Sequence, residues 1–157
     1  MTRIAYLEIS PRQTGKTERL IRFARCYLGT HKKVCFNTTK SAKAEVQARL
    51  SGALVLAEGE KFPASENTAD YVWFYDEFDW LNSVKVRHGA FYATTPRFIR
   101  KAGKHTPDND LLMRLVQNAR KVQRNFWPSD MSNLLDEARQ LHSSEEFRLL
   151  YMGEFLQ

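Results

Sequence analysis

Cysteine is nearly absent from this chain. Only Cys26 and Cys35 occur in 157 residues, separated by a segment that contains His31. That spacing fits neither a zinc site nor a redox pair, and isolated cysteines of this kind serve as small core residues. Also missing is any run approaching the roughly 18 apolar residues that a membrane-spanning helix needs. The opening Met1-Thr2-Arg3-Ile4 has no apolar stretch of the signal-peptide kind. A cytosolic setting is the expectation. No internal repeat, low-complexity tract or linker interrupts the sequence, so residues 1–157 are expected to form one domain. Its length and its 43% hydrophobic content suffice for a buried core.

Negative charge is missing locally. No acidic residue occurs from Ser83 to Pro107, a stretch that holds Lys85, Arg87, Arg97, Arg100, Lys101 and Lys104 together with His88 and His105. The whole chain carries a formal charge of +6, a balance that favours polyanionic partners. Phe91, Tyr92 and Phe98 are interleaved with the basic residues, but part of the stretch reads as a strand, whose aromatics belong to the core. The flanking cations are expected at the surface. They serve as a solvated face, as contacts to a DNA backbone, or as an arginine donated to a neighbouring subunit's site. Arg87, Arg97, Arg100 and Lys101 are the candidates.

What is present points to phosphate chemistry. An apolar run (Ile4, Ala5, Tyr6, Leu7, Ile9) leads into Ser10-Pro11-Arg12-Gln13-Thr14-Gly15-Lys16-Thr17, and Leu20, Ile21, Phe23, Ala24 and Leu28 then recur at helical spacing. A strand, a tight loop ending Gly-Lys-Thr and a helix form the order in which backbone N–H groups and a helix N-terminus receive an anion. Lys16 is placed to reach β- and γ-phosphates, and the Thr17 hydroxyl to ligate Mg²⁺. Ser10 stands where this motif ordinarily has Gly, and Arg12 lies inside the loop. A chance Gly-Lys-Thr in a strand-to-helix turn is the blander account of the same residues.

A second signal, Tyr71-Val72-Trp73-Phe74-Tyr75-Asp76-Glu77, reads as a buried parallel strand that delivers two carboxylates at its carboxyl end. Ligands of open α/β sheets bind at that edge. Asp76 is expected to hold Mg²⁺ and Glu77 to act as general base toward water. A solvated acidic turn is the alternative. A third strand, His88 to Thr94, ends in Thr94-Thr95-Pro96, which places two hydroxyls at its tip; unaided, Thr-Pro is also an ordinary strand exit.

The coarse pattern alternates strands (3–9, 33–37, 53–56, 71–75, 88–94 and a short one around 122–126) with helices (16–28, 40–50, 108–119, one after Asp130, and one capped by Ser143 with Glu146). Such alternation predicts an α/β fold with a doubly wound, mostly parallel sheet flanked by helices.

Taken together, the motifs resemble those of the ATPase domain of large terminase subunits, the DNA-packaging motors of tailed bacteriophages and herpesviruses. Arg12 to Thr17 looks like that family's deviant phosphate loop, Tyr75-Asp76-Glu77 like its Mg²⁺ and catalytic-carboxylate motif, and Thr94-Thr95-Pro96 like its coupling motif. Lys33 to Asn37 with Ala42 to Val46, and Glu146-Phe147-Arg148 through Gly153-Glu154-Phe155, are similar to the second strand and helix and to the closing segment of the core. The resemblance implies a P-loop NTPase fold of the ASCE/RecA-like kind. It implies ATP and Mg²⁺ as cofactors, bound by Ser10 to Thr17 and Asp76, with Lys16, Arg12 and Glu77 in catalysis and Thr94 and Thr95 in coupling. Double-stranded DNA, a capsid portal, a homo-oligomeric ring and a small terminase-like or separate nuclease subunit are the implied partners, in the host cytoplasm and at the procapsid portal vertex. Family members usually carry adenine-holding residues ahead of the loop and a C-terminal nuclease domain. Only Met1 to Ile9 precedes Ser10 here and the sequence ends at Gln157, so the expectation is a motor without nuclease activity. A helicase-like translocase and a non-catalytic basic DNA- or capsid-binding module are the competing readings.

Overall fold

A computed structural model describes residues 2–157. Six strands form one sheet: β1 (Tyr6–Ile9), β2 (Lys33–Thr38), β3 (Leu54–Ala57), β4 (Tyr71–Asp76), β5 (Phe91–Thr94) and β6 (Val122–Gln123). Their order across the sheet is β3-β2-β4-β5-β1-β6, and every neighbouring pair is parallel. The helices are α1 (Lys16–Gly29), α2 (Lys43–Arg49), α3 (Leu111–Asn118), α4 (Ser132–Leu141) and α5 (Ser144–Met152). No helix among the described residues is long and apolar enough to cross a membrane.

Strands buried on both faces need apolar side chains at successive positions, and these strands have them. Along β4, Trp73 and Tyr75 enter one apolar cluster while Val72 and Phe74 enter another. Along β5, Tyr92 joins the first cluster, and Phe91 and Ala93 the second. The second cluster is closed by Leu20, Ile21 and Ala24 of α1 and by Val46 of α2; the first is closed by Leu112 and Leu115 of α3. Helices therefore cover both faces. Aromatic rings pair across the parallel strands at register positions: Phe36, Phe74 and Phe91 stack in a row with centroids 5.9 and 4.6 Å apart, and Tyr75 stacks on Tyr92 at 5.0 Å on the opposite face.

The α/β pattern expected from the sequence is present, with shifts at the element ends. The strand expected from His88 starts at Phe91, because Gly89 takes a left-handed conformation (φ 72°) and its N–H turns to Arg3 O. Asp110, rather than Asp108 or Asn109, caps α3: its carboxylate accepts the Met113 N–H at 2.9 Å, while the Asn109 side chain closes the preceding turn on Thr106. The strand expected over 122–126 pairs only at Val122 and Gln123, since Asn125 turns inward to Ser10 and Glu8. The capping box on α5 is formed as expected, with Ser143 and Glu146 satisfying each other's backbone N–H.

This order positions a site. With all strands parallel, the carboxyl ends of β1, β2, β4 and β5 lie on one edge, and β5 stands between the loop strand β1 and the carboxylate strand β4. The chain leaves β1 through α1 over one face and leaves β5 through α3 over the other. Ligand crevices of α/β sheets form where such connections part.

Phe74 is fully buried between two stacked rings. Phe74→Ala is expected to lower unfolding free energy by about 3–5 kcal/mol, the range for deleting a buried Phe side chain. Urea denaturation at neutral pH measures it; a loss below about 1 kcal/mol would mean that the aromatic row does not anchor the sheet.

Candidate functional site

Residues Ser10 to Gly15 form the β1–α1 loop. The Ser10 N–H extends the ladder to Thr94 O at 3.1 Å, and two residues then take left-handed backbone, Gln13 (φ 54°) and Gly15 (φ 87°). Gly15 is required twice over. Its φ disfavours a side chain, and a Cβ there would meet the Arg19 guanidinium at 3.1 Å. The Arg12 N–H donates to Leu150 O at 2.7 Å, but among the described residues the next five N–H groups, Gln13 to Thr17, donate to no protein acceptor. They stand at the positive end of α1, a pattern that attracts anions.

Lys16 opens α1 with its side chain buried, 4% exposed. Its Nζ donates to Pro11 O at 2.8 Å and lies 3.7 Å from Glu77 Oε1. Burial lowers its pKa and the Glu77 charge opposes that shift. Across the cleft, Asp76 at the end of β4 is 1% exposed. The Thr17 hydroxyl lies 3.1 Å from both Asp76 carboxylate oxygens, and the Thr38 hydroxyl donates to Oδ2 at 3.2 Å. Burial, reinforced by the neighbouring Glu77 charge, pushes the Asp76 carboxyl up to about 7.

Glu77 itself takes left-handed backbone (φ 53°, ψ 44°), an uncommon state for a residue with a side chain. Its Oε2 accepts the Thr95 N–H at 3.3 Å, with the Thr94 hydroxyl at 3.5 Å. Burial raises its pKa, and Lys16 with the Thr95 N–H pulls it back. The two threonines also tie β5 to both sides of the cleft. Thr95 Oγ1 donates to Ser10 O at 3.0 Å, and the Asp79 N–H reaches Thr94 Oγ1 at 3.4 Å.

These groups face a cavity of about 530 Å³ lined by Arg12, Gln13, Lys16, Glu77, Trp80 and Thr95, with Thr39 and Leu150 at its sides. Two basic residues, a carboxylate and part of the run of free N–H groups thus line a space large enough for a polyphosphate. Arg12 is exposed at the same space, and its guanidinium makes no hydrogen bond to a protein acceptor among the described residues.

Several expected site residues serve the loop from behind. The Ser10 hydroxyl is buried and points away from the cavity, donating to Glu8 Oε1 at 2.9 Å and accepting the Asn125 N–H at 2.9 Å. The Thr14 hydroxyl closes the loop internally on Pro11 O at 3.0 Å. Two of the four basic candidates are also engaged internally. Arg100, expected at the surface as a contact to DNA or to a neighbouring subunit, is 1% exposed and ion-paired with Asp79 and Asp110. Two acids from outside the acid-free stretch capture it, which linear charge counting does not reveal. Arg87 is half-buried: its guanidinium lies 3.7 Å over the Trp73 ring and its Nε donates to Tyr75 OH at 3.0 Å. Arg97 and Lys101 are exposed, with the Arg97 guanidinium 5.9 Å from the Trp80 ring at the cavity wall.

Sequence reasoning missed Glu8 and Arg19. Glu8 is wholly buried beneath the loop, where it accepts from Tyr6 OH, Ser10 Oγ and Asn125 Nδ2, each at 2.9 Å, and from the Arg19 guanidinium. Burial opposes ionisation, but the hydrogen bonds, those from Arg19 foremost, outweigh it and hold its pKa below the usual carboxylate range. A lone acid inside an apolar strand was the available signal: a charge is buried there only with a partner. The C-terminal segment was missed as a loop support too. Trp127 Nε1 donates to Arg12 O at 3.1 Å, and Gly153, at φ 63°, packs so closely that a Cβ would stand 3.0 Å from the Ser10–Pro11 backbone.

The raised Asp76 pKa makes a stability prediction. A carboxyl that titrates higher in the folded protein than in the unfolded chain contributes stability below its unfolded pKa, near 4, and withdraws it as pH rises through about 7. Asp76→Asn is therefore expected to unfold at higher denaturant concentration than wild type at pH 8, by on the order of 3 kcal/mol, with the advantage fading toward pH 4. Denaturation midpoints at the two pH values measure this; an equal difference at both would show that Asp76 is not held in its neutral form by the fold.

Comparison with protein-family models, with curated proteins and with solved structures returned no match.

Proposed function

We propose that this chain binds ATP with Mg²⁺ at the carboxyl edge of its sheet, hydrolyses it, and works as the ATPase of a viral DNA-packaging motor. One observation carries the nucleotide reading. Five consecutive N–H groups, Gln13 to Thr17, are unpartnered among the described residues, and within that run Gln13 and the buried Lys16 line a cavity that Glu77 also lines. A P-loop of this kind cradles phosphates by its backbone, which explains why the loop tolerates Ser10 in place of Gly: the Ser10 side chain is turned inward, away from the ligand space.

The donor set suits Mg²⁺. Thr17 and Asp76 offer oxygen ligands side by side, and Mg²⁺ is ordinarily held by one or two carboxylates together with substrate phosphates. When bound there, Mg²⁺ would offset phosphate charge. The chain's own residues divide the rest. Lys16 and the loop N–H groups hold the phosphates. Arg12, always charged and able to bond bidentately, stabilises the transferring group. Glu77 takes a proton from the attacking water, its Oε2 fixed by the Thr95 N–H.

The motor reading rests on the order of motifs along the sequence and is supported by two features. Thr94 and Thr95 bond both to the phosphate loop and to Glu77, so a change at the carboxylate is felt on both sides of β5. Arg97 and Lys101 present free positive charge on the loop after β5, available to a DNA backbone or to a second copy in a ring.

Glu77→Gln is expected to bind Mg²⁺–ATP normally and lose about 10²-fold or more in turnover, the scale of a removed general base. Lys16→Ala is expected to lose both affinity and turnover. Phosphate release and equilibrium nucleotide binding measure the two; near wild-type turnover in both variants would refute the nucleotidase reading. Stimulation of wild-type turnover by double-stranded DNA checks the motor reading separately, and identical rates with and without DNA over a range of salt would oppose it.

A further inference from the structure

The most enclosed arginine of the chain sits behind the carboxylate proposed as general base. Arg100 is 1% exposed, and its guanidinium is almost fully engaged. Nη2 donates to Asp79 Oδ1 at 2.5 Å, Nη1 to Asp79 Oδ2 at 2.8 Å and to Phe98 O at 3.0 Å, and Nε to Asp110 Oδ2 at 3.1 Å. The Phe98 ring lies 3.9 Å from the guanidinium carbon. The backbone around Arg100 is pinned as well: its N–H donates to Phe155 O at 2.6 Å and its carbonyl accepts the Gln157 N–H at 2.8 Å.

Asp79 is the link to the site. It lies in the short 3-10 turn, Phe78–Trp80, that begins directly after Glu77. Besides Arg100, its carboxylate accepts the Arg97 N–H at 2.7 Å, and its own N–H reaches Thr94 Oγ1 at 3.4 Å. The next residue, Trp80, donates its indole N–H to Thr95 O at 2.9 Å and its backbone N–H to Glu77 O at 2.9 Å. The turn is thus stapled to the tip of β5. It needs to be, because Glu77 is held in left-handed backbone that a free side-chain-bearing residue leaves readily.

We infer that Arg100 is a positioning residue for Glu77: by clamping Asp79 it fixes the turn that holds Glu77 in left-handed backbone and aims its carboxylate at the cavity. This rests on the nucleotidase reading above. A planar fork bonding two carboxylates and a carbonyl has no equivalent in an ammonium group, so lysine keeps the charge and loses the clamp. None of the hydrogen-bond partners of Arg100 lines the cavity, so nucleotide affinity is left to the phosphate loop.

The test is a cycle of four proteins, wild type, Arg100→Lys, Glu77→Gln and the double variant, with Asp79→Asn as a milder second break of the same clamp. Steady-state phosphate release, equilibrium Mg²⁺–ATP binding and thermal unfolding are measured on each. The expected result is a fall of about tenfold or more in kcat for Arg100→Lys and for Asp79→Asn, with nucleotide affinity within about threefold of wild type. In the Glu77→Gln background Arg100→Lys is expected to cost nothing further, because it acts through that carboxylate. Unchanged kcat in a folded Arg100→Lys protein overturns the inference and leaves the nucleotidase reading standing. So does a kcat loss that repeats in full in the Glu77→Gln background, and so does failure of both clamp variants to fold, which assigns Arg100 to stability alone. Wild-type protein without turnover removes the nucleotidase reading and this inference together.

Discussion

Lys16 stands between a loop of free N–H groups and two carboxylates, the buried Asp76 and the half-buried Glu77, and the rest of the structure is arranged around holding those charges largely away from water. Taking an ion from water costs several kcal/mol unless it is paired and hydrogen-bonded. Asp76 meets that cost with two threonine hydroxyls and a pKa raised to about 7. Glu77 meets it with Lys16 and the Thr95 N–H, and by keeping its side chain 28% exposed to the cavity. Lys16 uses one of its three donors on Pro11 O, and its Nζ lies 3.7 Å from Glu77 Oε1.

A second charged layer supports the first. Glu8 lies under the loop with four partners, and the Arg19 side chain that binds it fills the space where a Cβ on Gly15 would go. The loop is braced from the other side by Leu150, Trp127 and Gly153, all from the C-terminal third of the chain. A third layer, Arg100 with Asp79 and Asp110, braces the turn after Glu77. The second and third layers are each built on an arginine fork bound to carboxylate, suited to partly buried ion pairs because the guanidinium is planar and weakly hydrated.

How far the sequence discloses this depends on the range of the interactions. The strand–loop–helix at Ser10 to Thr17 and the apolar strand ending in Asp76-Glu77 are local patterns, and both stand where periodicity puts them. The capping box at Ser143 and Glu146 is likewise local and is formed. What the sequence did not reveal are partners far apart along the chain: Glu8 with Asn125, Arg12 with Leu150, Arg100 with Asp79. Charge counting misled at Arg100 for the same reason. An acid-free segment reads as a positive surface, but the fold brings Asp79 to it from one side and Asp110 from the other. The inward turn of Ser10 was also hidden, since it depends on a carboxylate two residues away whose burial only the sheet determines.

In the proposed function, the free N–H groups of Gln13 to Thr17, with Lys16, receive the phosphates of a nucleotide. The most direct measurement is an amide nuclear magnetic resonance titration of the ¹⁵N-labelled chain with Mg²⁺ and a non-hydrolysable ATP analogue. The account predicts saturable shifts that are largest at the amides of Gln13 to Thr17, with secondary shifts at Glu77 and Thr95. Saturable shifts confined to residues away from the β1–α1 loop, or loop amides that stay unmoved at millimolar analogue, would contradict it.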